Sequence, residues 1–138
     1  MKIYHTSPSR IEKIKDNGLF GECLFFSNEI YQMGAGEVVV YSLDVEKIIV
    51  ASNLDDNSVI QDIANYFEID EDEAEKVLTG RTSVFNIGGD GEDDWWVQGK
   101  QGEAAKNMGY EAVKSEDEQG AVYIVPMLGR ENDLIEVK

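Results

Sequence analysis

Cysteine, histidine and basic residues are scarce in this chain of 138 residues, and each scarcity excludes something. Cys23 is the one cysteine, so no intrachain disulfide can form and a zinc cluster is not expected. His5 is the one histidine, which excludes a metal site built on a histidine pair. The 12 Lys and Arg residues are outnumbered by 28 Asp and Glu residues, for a formal net charge of −16. Direct nucleic-acid binding is therefore disfavoured, because it needs cations that neutralise phosphates.

Long apolar runs are also lacking. No stretch approaches the roughly 20 apolar residues that a membrane-spanning helix needs, and residues 1–7 lack the apolar segment of a secretory signal. Together with the single cysteine, these features predict a cytoplasmic protein that does not bind membranes. A hydrophobic content of 42% over 138 residues is enough for one core, so we expect a single domain over residues 1–138.

The hydrophobic pattern places strands at both ends of the chain and helices between them. This order favours a compact α+β fold with small mixed or antiparallel sheets and flanking helices. Strands are predicted at residues 2–5, within 19–26, and at 38–43, 48–50, 110–114, 121–125 and 134–138. Helices are predicted at residues 10–15, 28–33, from about 58 to 67, 71–79 and 95–108. Asp70 and Glu73 form the pattern of a capping box, and residues 88–94 that of a flexible acidic loop.

An acidic turn over Ser115–Gly120 precedes the apolar segment Ala121–Val125, which predicts a buried strand. Glu116, Asp117 and Glu118 crowd three carboxylates into this turn, and their mutual repulsion favours protonation of one of them. Two interpretations stay open. The turn is either a solvated acidic loop, as most charge runs are, or a place where the mouth of a strand holds an acid next to a cleft.

His5 ends the first predicted strand, and aromatic residues follow it around Gly21, which permits close approach of a ligand. The aromatic residues are Phe20, Phe25, Phe26 and Tyr31. Aromatic faces, an imidazole and a separate acidic turn are suited to hold a ribosylated aromatic base, although the same rings also fit an ordinary core. Cys23 lies in the apolar run, where a thiol is more often inert than nucleophilic.

Three segments in this order resemble the motifs of ADP-ribosyltransferases, in the branch of diphtheria toxin and the poly-ADP-ribose polymerases. They are His5-Thr6 on the first strand, the segment Gly21–Ser27, and an acid late in the chain at a strand mouth. The resemblance implies that the histidine holds a ribose hydroxyl of NAD and that the aromatic side chains pack on nicotinamide. It also implies that the acid contacts the nicotinamide ribose.

A closer resemblance is to the type I-F anti-CRISPR proteins that are ADP-ribosyltransferases. The matching pieces keep their order over nearly the whole chain: His5-Thr6-Ser7, residues 16–21, residues 72–75, Met108-Gly109-Tyr110 and residues 116–120. This resemblance implies an NAD-dependent enzyme of the infected bacterial cytoplasm. Its target would be an asparagine in the subunit of the type I-F surveillance complex that recognises the protospacer-adjacent motif (PAM).

The resemblance also assigns roles to particular residues. Asp117 would be the catalytic acid, with its neighbour Glu118 as the second candidate. NAD, used as co-substrate, would be held by His5, Thr6, Ser7, Phe20, Gly21, Phe25, Phe26 and Tyr31. No metal is implied, and the partner is a protein, without direct contact to nucleic acid or membrane.

Two departures from the wider family keep other interpretations open. An Asp117-Glu118 pair replaces the usual single glutamate, and Glu116 with Glu118 also matches the Glu-x-Glu pattern of arginine-modifying transferases. His5 argues against that class, in which an arginine is expected at this position. A non-enzymatic alternative is an acidic nucleic-acid mimic that blocks a basic channel by its charge of −16. A toxin of a toxin–antitoxin pair would share the chemistry and differ in target.

Overall fold

The computed structural model describes residues 1–7, 23–27, 39–117, 120–127, 130 and 133–137, with residues 7, 116, 117 and 120 described by their backbone alone. The strands are β1 (Lys2–Ser7), β2 (Cys23–Phe26), β3 (Val39–Asp44), β4 (Ile48–Val50), β5 (Ala112–Asp117), β6 (Gly120–Pro126) and β7 (Ile135–Val137). The helices are α1 (Asn57–Phe67), α2 (Glu71–Leu78) and α3 (Gly91–Asn107), with short 3₁₀ turns at Ala51–Asn53 and Val84–Ile87.

The strands form two small sheets, and the predicted α+β fold is confirmed. One sheet has the order β1-β3-β7 and is antiparallel throughout. The other has the order β2-β6-β5-β4 and is mixed, because β4 pairs with β5 in parallel while the other pairs are antiparallel. The predicted last strand lies at the edge of the first sheet, where β7 pairs with β3.

The four-stranded sheet is buried on both faces, because side chains alternate along each strand. On one face, Val113 and Ile124 pack against residues of all three helices, and α3 lies directly against β5 and β6. On the other face, Tyr123 and Val125 pack against Ile3 of β1 and other residues of the first sheet. The sheet is therefore the middle layer of the described fold.

Aspartate is the N-cap of each of the three helices among the described residues, and it is a residue type favoured at that position. The side chain of Asp56 accepts from the amides of Ser58 and Val59, and that of Asp70 accepts from the amide of Glu73. The predicted capping box at Asp70 is wrong in its second half, since the cap of α2 consists only of the bond from the Glu73 amide to the Asp70 side chain. The carboxylate of Glu73 lies instead 4.0 Å from Lys76 Nζ. A full capping box forms instead at Asp90 and Asp93.

Two predicted boundaries on either side of α3 are wrong. Residues 88–94 are not a flexible loop, because Asp90 caps α3 and the helix begins at Gly91, four residues before the predicted start. At the other end, Gly109 adopts φ +88°, and the amide of Tyr110 donates to Ala105 O at 2.9 Å. Because of this Schellman motif, β5 begins at Ala112, two residues after the predicted start at residue 110. The strand then continues to Asp117, through half of the predicted acidic turn.

Two predicted helices, at residues 10–15 and 28–33, lie outside the described residues. None of the helices that the structure describes is long and apolar enough to cross a membrane.

Candidate functional site

The two sheets meet where β1 passes the end of β2. The backbone of Tyr4 donates to Ser27 O at 2.8 Å, and the amide of Ser27 donates back to Tyr4 O at 2.8 Å. This single bridge fixes the position of His5, the next residue on β1, beside β2. The histidine predicted to bind a ribose therefore lies at the junction between the sheets.

The imidazole of His5 is oriented by the backbone of β2. Its Nδ1 lies 2.7 Å from Phe25 O, and its ring centroid lies 5.5 Å from that of Phe26. A carbonyl oxygen can only accept, so Nδ1 carries the proton and Nε2 of the neutral ring is an acceptor. Burial lowers the pKa of His5 below its ordinary value of 6.5, against a smaller opposing effect of the bond to Phe25. The ring is thus neutral at physiological pH.

The other predicted cofactor-binding residues differ in how far they are buried and in whether the structure describes them. Phe26 is only 2% exposed and belongs to the core between the sheets, so its contact with His5 is a packing contact. Phe25 is partly buried against the helix-facing core. Thr6 and Ser7 continue β1 beyond His5, paired with Val40 and Val39 of β3. Phe20, Gly21 and Tyr31 lie outside the described residues.

The described part of the acidic segment lies at the paired ends of β5 and β6, which form an antiparallel hairpin. Asp117 is the last residue of β5, and its backbone pairs with Gly120, the first residue of β6. Glu116 therefore belongs to the strand, where it pairs with Ala121. Glu118, the second candidate acid, lies outside the described residues.

The strand registers relate the histidine to the acidic hairpin. Phe26 pairs with Tyr123, and Tyr123 pairs with Lys114 of β5, three residues before Asp117. His5 contacts Phe26 at the other end of this row. Because neighbouring strands are about 4.8 Å apart and each residue advances the strand by about 3.4 Å, the backbone of Asp117 lies roughly 14 Å from that of Phe26. The structure brings the two predicted parts to the same end of the four-stranded sheet.

A cavity that the sequence does not predict lies on the helix-facing side of this end. It has a volume of about 360 Å³ and lies between the end of α2, the turn Val84–Ile87, the first half of α3 and the sheet. Ser115 of β5 and Val122 of β6 line it from the sheet. Ser115 is two residues before Asp117, so the cavity lies beside the acidic hairpin.

Gln101 is a buried polar side chain in the wall of this cavity. It is 4% exposed, and its Nε2 donates to Leu78 O at 2.8 Å. Its Oε1 is buried and has no hydrogen-bond partner among the described residues. The sequence does carry a signal for it, since Gln101 interrupts the apolar stripe of α3 between Val97 and Ala104. In the described part of the chain, no group of three His, Cys, Asp or Glu side chains is arranged to hold a metal ion.

Comparisons with known proteins identify the family of this chain. Residues 1–129 match the family model described as the anti-CRISPR type I-F ADP-ribosyltransferase AcrIF11. A solved structure entitled "Crystal structure of an anti-CRISPR protein" is similar over 91% of this chain and 88% of its own, with a TM-score of 0.61 and 26% sequence identity. No curated protein matches in sequence. The predicted enzyme class is confirmed: the chain belongs to the family of anti-CRISPR type I-F ADP-ribosyltransferases.

Proposed function

We propose that this enzyme transfers ADP-ribose from NAD to the PAM-recognising subunit of the type I-F surveillance complex. It would do so as a single domain over residues 1–138 in the cytoplasm of the infected bacterium. Family membership supports ADP-ribosylation and a target in the CRISPR system. The hydrogen bond between His5 Nδ1 and Phe25 O, 2.7 Å long, is the observation that carries the NAD part of the proposal.

That hydrogen bond prepares His5 to recognise a hydroxyl group. With Nδ1 committed to Phe25 O, Nε2 accepts and a ribose hydroxyl of NAD donates to it. Burial keeps the imidazole neutral by lowering its pKa, so the acceptor persists at physiological pH. Thr6 and Ser7 follow on the same strand, and Phe20, Gly21, Phe25 and Tyr31 complete the proposed NAD site, while Phe26 supports the His5 ring from the core.

The transfer breaks one bond and forms one. The glycosidic bond between C1′ of the ribose and the nicotinamide nitrogen breaks, and its electron pair leaves with neutral nicotinamide. A side chain of the target forms the new bond to C1′ and releases one proton to solvent. The sugar carries positive charge in the transition state, as in glycoside cleavage. A carboxylate near the ribose stabilises that charge, and we assign this role to Asp117.

The net charge of −16 supports a protein target with a basic surface. Opposite charges on two partners accelerate their encounter, and they do so less as salt screens them. A subunit that binds DNA at the protospacer-adjacent motif must present cations to phosphates. The acidity of the enzyme then serves docking on the target, and the enzyme needs no direct contact with nucleic acid.

Asp117→Asn tests the proposed acid, because it keeps the shape of the side chain and removes its charge. We expect transfer of labelled ADP-ribose to the purified surveillance complex to be lost, while NAD affinity stays within a few-fold of wild type. Such a split is typical of an interaction that matters mainly in the transition state. Glu118→Gln is the matched control next in the chain and should be milder. Single-turnover transfer, with folding checked by circular dichroism, measures both.

Three results would change the assignment. An inactive Glu118→Gln with an active Asp117→Asn moves the acid by one residue and favours the Glu-x-Glu pattern. Activity in both variants removes the acidic hairpin from the mechanism. Inhibition of the surveillance complex by wild type without NAD, and without any mass increase of the target, supports the acidic mimic instead.

A further inference from the structure

The strand β2 carries the carbonyl that orients His5, and it is a short strand at the edge of its sheet. It has four residues and pairs with β6 at one side of the four-stranded sheet. Its end is tied to the other sheet by the two backbone hydrogen bonds between Ser27 and Tyr4. Phe25 O, which lies 2.7 Å from His5 Nδ1, belongs to the residue two positions before this tie. The orientation of the imidazole therefore depends on where β2 lies.

The other end of β2 rests on α3. Cys23 begins the strand and pairs with Pro126, the last residue of β6, so β6 supports β2 no further. The side chain of Cys23 is 6% exposed and lies in the helix-facing core. Its thiol donates to Gly99 O in α3, with 3.8 Å between sulfur and oxygen. Phe25 thus lies midway between an anchor on α3 and an anchor on β1.

Gly102 lets α3 come this close to β2. A Cβ at Gly102 would overlap Cys23 Sγ and lie 3.1 Å from Ile124 Cγ2. Ile124 in turn pairs with Phe25 across the two strands. A larger side chain at Gly102 would therefore press on β2 directly at Cys23, and on the neighbouring strand beside Phe25.

The helix α3 is held more firmly than β2. Ala104 and Ala105 of α3 are buried in the core that all three helices share, and Lys100 Nζ pairs with Asp62 of α1 at 3.0 Å. Overpacking at a close contact forces the backbone to shift. The four-residue edge strand is the part that gives way, and Phe25 O moves with it.

We infer that Gly102 and Cys23 are positioning residues for NAD binding: they fix β2 against α3, and through Phe25 O they orient His5. This inference rests on the proposed function, in which His5 Nε2 accepts from a ribose hydroxyl. A binding group must be held within about 0.5 Å of its productive position, so a small shift of β2 weakens the site. Cys23 acts through the backbone of its strand, because its buried thiol is directed to Gly99 O and not to a substrate.

A double-mutant cycle tests the contact between the two residues. Gly102→Ala adds a methyl group that overlaps Cys23 Sγ, so we expect Kd for NAD, measured by calorimetry, to rise about tenfold, the value of one hydrogen bond. Cys23→Ala removes the sulfur, and in the double variant the new methyl group fills the space that it leaves. Kd of the double variant should therefore return to within about threefold of wild type. Losses that simply add in the double variant would overturn the inference.

Two measurements separate positioning from loss of stability. The 15N chemical shifts of the His5 imidazole report which nitrogen carries the proton, and they should change in Gly102→Ala and recover in the double variant. Val59→Ala is the matched control, because Val59 is 0% exposed in the same core but belongs to α1, which packs against α2 and α3. It should lower the urea midpoint and leave Kd and the His5 shifts unchanged. A Kd that rises as much in Val59→Ala as in Gly102→Ala would contradict a positioning role.

Cys23→Val tests the same contact from the strand side if Gly102→Ala does not fold. A β-branched residue suits a strand, and its additional methyl group presses toward α3, so Kd should rise by at least about threefold, part of the value of a hydrogen bond. Cys23→Ser keeps the size of the side chain and a donor for Gly99 O, so its Kd should stay within about twofold of wild type. Equal Kd values of the two variants would overturn the inference.

His5→Ala distinguishes this inference from the proposed function. If His5→Ala binds NAD as tightly as wild type, His5 is not a ligand of NAD, and the proposed NAD site fails together with its positioning residues. If His5→Ala weakens binding while Gly102→Ala and Cys23→Val leave Kd unchanged, the NAD site stands and the positioning role alone is wrong.

Discussion

The two faces of the four-stranded sheet are packed by different kinds of structure. Three helices with local start signals cover one face, and each is capped by an aspartate close in sequence. The sheet β1-β3-β7, whose strands come from both ends of the chain and from residues 39–44, covers the other face, where Ile3 and Leu43 meet Val125 and Met127. One face therefore depends on neighbours in sequence, and the other depends on pairing between distant segments.

This difference explains where the proposed functional parts lie. On the face covered by strands, the packing ends at the junction of β1 and β2, and His5 is held there by Phe25 O. On the face covered by helices, the packing ends between α2 and α3, and the cavity with Gln101 remains. Each part lies where one kind of packing stops, and the β5–β6 hairpin stands at the same end of the sheet.

Ile124→Asp should unfold the protein by disrupting the helix-facing core. Ile124 is 0% exposed at the centre of that core, so the variant buries a charge without a partner. Such burial costs several kcal/mol, a large share of a typical stability of about 5–15 kcal/mol. We expect thermal melting followed by circular dichroism to show no cooperative transition at 25 °C or above.

Val122→Asp is the control for this prediction, two residues earlier on the same strand. Val122 is half-buried at the rim of the cavity, where the new carboxylate can reach water. The melting temperature should therefore fall by less than in Ile124→Asp. Equal melting temperatures of the two variants would contradict the packing described for the helix-facing core.

Gly102→Ala tests how closely α3 approaches the sheet. It should lower the free energy of unfolding by less than Ile124→Asp does. A Cβ at Gly102 would overlap Cys23 Sγ and lie 3.1 Å from Ile124 Cγ2. Overpacking of this kind costs about 1–3 kcal/mol, although alanine is the better helix former by about 1 kcal/mol. Gly91→Ala is the matched control, because a Cβ there meets nothing within 4 Å. Urea unfolding should rank Gly91→Ala at or above wild type and Gly102→Ala below it.

The sequence predicted strands and helices well where one local pattern was present without a competing one. Val38–Leu43 and Ile48–Val50 appear as β3 and β4 within one residue, because β-branched runs need no partner to be recognised. The start of α3 was mispredicted because three glycines over residues 88–91 outweighed the capping pattern of Asp90 and Asp93. A cap followed three residues later by an acid was the signal that should have decided it.

The site was predictable in part. The sequence singles out His5 as a candidate because it is the one histidine and lies on the first strand, but its bond to a carbonyl of β2 depends on how the sheets meet. The cavity was not predictable, because residues of α2, α3, β5 and β6 form it together. The roles of all the predicted site residues stay predictions: His5, Thr6, Ser7, Phe20, Gly21, Phe25, Phe26, Tyr31, Asp117 and Glu118.

A pH titration should distinguish the two faces of the sheet by the pH at which each responds, and it is the mildest of these perturbations. Burial lowers the pKa of His5 below 6.5, so the stability that the neutral imidazole contributes is fully present above pH 6.5. It is lost as pH falls through the lower pKa of the folded protein. Protonation also turns Nε2 into a donor, so NAD affinity should stay constant above pH 6.5. Below that, it should fall by at most about tenfold for each pH unit.

The helix-facing side should respond only in stronger acid. The hydrogen bond from Tyr66, at 2.7 Å, and a bond within the capping box lower the pKa of Asp93 below 3.8. Desolvation raises the pKa of Asp56, but bonds from Ser58, Asn107 and the Val59 amide outweigh it, so this pKa is also below 3.8. Both carboxylates therefore stabilise their helices above pH 3.8 and lose this effect as pH falls through the lower values.

NAD affinity and helix content, measured together from pH 8 to pH 4, test this order. We expect affinity to weaken below pH 6.5 while the circular dichroism of the helices is unchanged. His5→Phe supplies the control, because it keeps a ring against Phe26 and cannot titrate. It should bind NAD more weakly than wild type at pH 8 and show no pH dependence between 6.5 and 5. If its affinity follows the wild-type curve, His5 is not the titrating group, and the acceptor role of Nε2 is wrong.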